Sequence, residues 1–127
     1  VLRQWQGRLL ASAAVLALSG VGVMGAAPAA SAYSPACMNA LERADSTVAQ
    51  AINLINARST VADDALWDAS TILYGAPCYD GQVQNDISTA RSRISDAISG
   101  VGGNWDWAYD SAWRARYSIW NAENIGS

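Results

Sequence analysis

From residue 35 onward the apolar positions of this chain recur three and four residues apart, in four segments separated by recognisable breaks. No stretch with the two-residue period of a strand competes. The first segment runs from about Pro35 to Arg58 and carries Leu41, Ala44, Val48, Ile52 and Ile55 on one stripe, with Pro35 suited to an opening helical turn. The second runs from about Val61 to Tyr74. Thr60 is its expected N-cap, Asp63 completes an Asp variant of the capping box, and Gly75 and Pro77 end it. The third spans about Gln82 to Ser99, with Val83, Ile87, Ala90, Ile94 and Ala97 in register and Gly100, Gly102 and Gly103 beyond it. The fourth opens on Asn104 as N-cap, has Asp106 in its first turn, where a negative charge suits the helix dipole, and runs to about Asn124. Short connections between four helices predict an all-α fold, a small antiparallel up-down-up-down four-helix bundle.

The first 32 residues have a different texture. A short basic start (Arg3, Arg8) precedes an apolar run from Leu9 to Ala27, and the segment closes on Ala30-Ser31-Ala32. That order matches a cleavable secretory signal peptide, with small residues at −3 and −1 and cleavage expected after Ala32. The run is also just long enough to cross a bilayer. Gly20, Gly22, Gly25 and Pro28 favour a cleaved leader over a permanent span, and residues 33–127 are then a single exported helical domain with no membrane attachment.

Export gives the two cysteines a use. Cys37 falls at the start of the first helix and Cys78 just past the end of the second, which lie at the same end of an up-down bundle, so one disulfide is expected to staple the fold. Closing that loop is worth roughly 4 kcal/mol on a chain-entropy account, a large share of the stability of a domain this small.

Charge and composition act mostly by exclusion. Residues 33–127 hold six arginines against all eleven acids, a net charge of −5, and no lysine or histidine occurs anywhere. An acidic domain without a basic patch is unsuited to nucleic acid or anionic lipid. Without histidine there is no Ser-His-Asp or Cys-His arrangement and no zinc hydrolase motif; without lysine there is no Ser-Lys dyad, Schiff base or Walker loop. What survives is carboxylate chemistry of the glycosidase type, from Glu42, Glu123 or the pair Asp64 and Asp68. Acids four apart on a polar helix face are ordinarily solvated charge, so no catalytic residue, metal site or cofactor is assigned. Asp80-Gly81 through Asp86 places oxygen ligands in a turn but misses the spacing of a calcium loop.

The fourth helix stands apart, with Trp105, Trp107, Tyr109, Trp113, Tyr117 and Trp120. At 100° per residue, Trp105, Ala108, Tyr109, Ala112, Trp113, Ile119 and Trp120 share one broad face, which reads as core: a chain without phenylalanine needs bulk, and the facing stripes are small. Trp67 and Trp107 lie off their stripes and, with Tyr117, are the candidate ligand-binding residues. Arg116 sits between Trp113 and Trp120, and its height matches that of Asp45 on the first helix, so an Asp45–Arg116 structural ion pair is expected. The chain therefore reads as a small secreted, non-enzymatic binding or interaction module whose partner is an extracellular protein or a wall glycan. The alternatives are a carboxylate-based glycan hydrolase and a carrier of an apolar ligand in an aromatic-lined core.

Overall fold

Four helices in chain order make up the described part of the protein: α1 (Pro35–Asn56), α2 (Ala62–Tyr74), α3 (Gly81–Gly100) and α4 (Trp105–Gly126). The computed structural model describes residues 34–126; the predicted signal segment, its cleavage site and Tyr33 lie outside the described residues. Each helix packs against its neighbours in sequence, and α1 closes the ring against α4. Among the described residues the diagonal pairs α1 with α3 and α2 with α4 make no contact, which is the square cross-section of an up-down-up-down bundle. Cys37 and Cys78 are joined in a disulfide, with their Cα atoms 5.0 Å apart, tying the first turn of α1 to the α2–α3 connection. No helix among the described residues is long and apolar enough to cross a membrane.

The caps explain where each helix starts. Ser34 accepts a hydrogen bond from the Cys37 amide at 3.0 Å, with Pro35 in the first turn. Asp80 accepts from the Gln82 and Val83 amides at 2.9 and 3.1 Å and so caps α3 one residue earlier than the apolar pattern suggests. Asn104 accepts from the Trp107 amide at 3.0 Å and caps α4. The start of α2 differs from expectation. Val61 occupies the cap position in a helical conformation and no side chain caps the helix; the Ala62, Asp63 and Asp64 amides instead bond to the carbonyls of Ser59, Thr60 and Val61 in a tight lead-in turn. These backbone carbonyls satisfy the amides that a Thr60 hydroxyl was expected to serve, so the capping box does not form.

Between α1 and α2 the chain reverses through a Schellman turn, in which the Ser59 amide bonds to the Leu54 carbonyl and the Arg58 amide to the Ile55 carbonyl, both at 2.9 Å. Arg58 holds the left-handed position of that turn at φ 57°, where glycine is the usual occupant. Its guanidinium lies over the Trp105 ring, 5.7 Å from the centroid, and links the turn to the first residue of α4.

The core is built from small side chains. Leu41, Val48, Ile52 and Ile55 of α1, Leu66 and Leu73 of α2, and Val83, Ile87 and Ile94 of α3 supply its bulk. The buried face of α4 is Ala108, Ser111, Ala112, Ala115, Ile119 and Ala122. It meets α3 at Gly100, which lies against Ala108, and α3 with α4 is the pair of helices with the most extensive contact. A Cβ placed on Gly100 would stand 2.8 Å from the Ala108 amide nitrogen and 3.1 Å from its Cα, so the two helices touch backbone to side chain at the turn that joins them. Gly100→Ala is accordingly expected to lower stability by roughly 1–3 kcal/mol through forced separation of α3 and α4, read as a fall in melting temperature with helical content unchanged below the transition.

Candidate functional site

The small-residue contact with α3 sets the rotation of α4 and thereby decides where its aromatic rings go. The buried stripe is turned by roughly 80° from the broad aromatic face expected of the sequence, at 100° per residue. Trp105, Trp113 and Trp120 are half-buried, Tyr109 and Tyr117 are exposed, and none belongs to the buried core. Bulky rings therefore do not face small ones across the bundle. Trp105 and Trp113 pack against the rim of the core, and the rest of the aromatic row lies along the outer surface of α4 on its α1 side.

The densest part of that row is a cluster of Trp113, Arg116, Tyr117 and Trp120. The Arg116 guanidinium carbon lies 4.9 Å from the Trp113 ring centroid and 4.7 Å from that of Trp120, so the cation is flanked by two indoles. Its Nε donates to Asp45 Oδ1 at 2.8 Å and its Nη2 to Asp45 Oδ2 at 3.1 Å, a two-point pair that bridges α4 and α1 with only about a fifth of either side chain accessible. Tyr117 caps the cluster, its ring 5.9 Å from Trp113 and 5.5 Å from Trp120, and the two tryptophans meet edge to face at 6.2 Å. Tyr117 is 55% exposed. The result is an apolar, flat-sided patch whose one positive charge is neutralised from below. It holds three rings in fixed mutual orientation before any ligand arrives.

Of the sequence-derived candidates, only Tyr117 joins this cluster. Trp107, 42% exposed, lies on the α3 side of α4, and Trp67, 57% exposed, is on α2, which does not touch α4. The three candidates are thus on three separate surfaces. Trp113 and Trp120 belong to the site although their spacing reads as core; the signal that turns them to the rim is the alanine arc extended beyond Ala108 and Ala112 by Ala115 and Ala122, which fits a close helix contact.

The remaining chemistry is sparse. Two clefts, of about 190 and 420 Å³, flank the C-terminal end of α2 near the disulfide, and neither is lined by Trp113 or Trp120. Among the described residues no group of three or more histidine, cysteine or carboxylate side chains is placed to hold a metal ion. Asp80 acts as a helix cap. Asp110 pairs with Arg114 at 3.0 Å on the exposed face of α4, and Arg93 approaches Asp96 at 3.9 Å on α3. Asp86 is different. Its Oδ2 is buried with no hydrogen-bond partner among the described residues, and burial raises the carboxyl's pKa above its ordinary 3.8.

Comparison with known proteins finds no matching family model, no matching curated protein and no matching solved structure. The reading of this surface accordingly rests on its own geometry.

Two outcomes follow from these groups. Asp45→Asn removes the countercharge of a cation held between two indoles and is expected to cost about 1–2 kcal/mol; a double-mutant cycle with Arg116→Gln in chemical denaturation should return a coupling near 1 kcal/mol. For Asp86, the folded state binds its proton more tightly than the unfolded chain, so its contribution to stability declines as pH rises through the raised pKa and is least favourable at neutral pH. Asp86→Asn should therefore raise the melting temperature relative to the parent at pH 7, and that advantage should shrink as pH falls through the raised pKa and be lost below the ordinary carboxyl value of 3.8.

Proposed function

We propose that the chain is an exported, non-enzymatic binding module, and that its recognition surface is the aromatic cluster of α4. The observation that carries this reading is the surface cluster of half-buried Trp113 and Trp120 with exposed Tyr117, gathered around a neutralised Arg116. Large rings left at a surface by a core that has no room for them favour a partner with an apolar face. A preorganised cluster spends little conformational entropy when that partner binds. Export is supported by the leader-like order of residues 1–32 and by the disulfide, which persists in oxidising compartments.

The ligand class that suits this surface best is an extracellular glycan. The apolar face of a sugar ring matches a flat indole or phenol, and a cation already paired with Asp45 leaves the patch without a charge to recognise. The net acidity of residues 33–127 fits a neutral ligand better than an anionic polymer.

Titration of the protein with soluble cell-wall glycan fragments, followed by tryptophan fluorescence and calorimetry, tests the proposal. Binding is expected to weaken about tenfold or more in Tyr117→Ala and to be unchanged in Trp107→Phe, on the α3 side. Equal affinity of Tyr117→Ala and the parent, or no binding of glycan by the parent, would remove the assignment; recovery of an extracellular protein in place of glycan would reassign the partner.

A further inference from the structure

The groove between α2 and α3, on the side of the bundle opposite the α1–α4 edge, has a chemistry of its own. Arg91 of α3 lies over the Tyr74 ring of α2, its guanidinium carbon 4.8 Å from the centroid, and its Nε points to Ser70 Oγ at 3.4 Å. Among the described residues no carboxylate lies within ion-pair reach of Arg91, and its two terminal nitrogens have no acceptor. Arg91 is half-buried and fixed on an aromatic ring with its fork unoccupied, and a guanidinium so held can still take an anion.

The same arginine borders the cleft of about 190 Å³. Leu73 and Ile87 form apolar wall, Ser88 and Gln84 supply polar groups from successive turns of α3, and no acidic residue lines it. Gln84 is held in place by donating its Nε2 hydrogen to the Cys78 carbonyl at 3.1 Å, so the disulfide end of the groove is anchored. Asp86, next to Ile87 in sequence, does not line the cleft, and Asp80 is occupied by the α3 amides. Tyr74 is 76% exposed and leaves ring surface free beside the cation.

We propose that this cleft binds a small carboxylate carrying a ring or other apolar body, with Arg91 as the anchor. The planar fork of a guanidinium accepts a carboxylate through two parallel hydrogen bonds, and stacking on Tyr74 fixes the plane in which that pairing occurs. A single cation balances one negative charge, which favours a carboxylate over a doubly charged phosphate. The apolar walls and the Tyr74 ring accept the body of the ligand. A volume well below that of a drug-sized pocket limits the ligand to roughly one ring. The assignment is independent of the aromatic patch on α4, which shares no residue with it.

Benzoate is the probe, titrated into isotopically labelled protein while the Arg91 Nε–H resonance and the backbone amides of residues 73–91 are followed. Benzoate is expected to shift these signals saturably. Arg91→Gln, with an unchanged melting temperature, should weaken the effect about tenfold or more, and Arg91→Lys should recover only part of it. Benzamide, which has the ring without the charge, should not bind. Equal shifts in the parent and in Arg91→Gln, equal binding of benzamide, or no saturable shift with benzoate would each overturn the assignment. Tighter binding of inorganic phosphate than of benzoate would overturn the carboxylate class.

Discussion

The close contact of α3 with α4 governs the rest of this molecule. Gly100 leaves no room for a Cβ against Ala108, and the buried face of α4 is mostly alanine. Once backbones approach that closely, only small side chains fit between them, and every bulky ring of α4 is displaced to the flank or the outside. The core then draws its volume from the leucines, isoleucines and valines of α1, α2 and α3, and the surface acquires its aromatic patch as a direct consequence of how the interior is filled. In most small domains the interior takes the large side chains first. Here the rings of α4 stand at the rim, with Trp105, Trp113 and Trp120 half-buried, and their placement follows from packing.

Much of this was legible in the sequence. Helical periodicity places all four elements to within two residues, and the location of Cys37 and Cys78 at one end of an up-down bundle anticipates their disulfide. Equal heights along α1 and α4 bring Asp45 and Arg116 opposite each other, and the two are paired at 2.8 Å. The rotation of α4 was not legible, because its sequence offers two apolar arcs, one of alanine and one of tryptophan, that differ by less than a quarter turn. Bulk favours the second as core; the backbone contact at Gly100, which requires the first, is a three-dimensional fact with only a glycine to announce it. The missing Thr60 cap has a similar origin, since a tight turn out of α1 delivers backbone carbonyls to the amides that a side chain was expected to reach. Arg91 is not marked in the sequence for a related reason: its seat on Tyr74 and Ser70 is set by the packing of α2 on α3.

Arg58 shows how a local cost is offset at a distance. A left-handed backbone at a residue with a Cβ costs about 1 kcal/mol relative to glycine, yet glycine would have no side chain to lay over Trp105. The turn after α1 and the start of α4 are joined by that stacked cation at the end of the bundle remote from the disulfide. One end is therefore closed covalently and the other by a side chain on a ring.

The square cross-section has a geometric consequence for how such a module meets its surroundings. In a ring of four helices whose diagonals do not touch, the α4–α1 edge and the α2–α3 edge face in opposite directions. A ligand seated on one cannot obstruct the other, and neither needs the bundle to open. Were both proposed sites occupied, two molecules would sit a bundle-width apart on opposite faces of one compact interior.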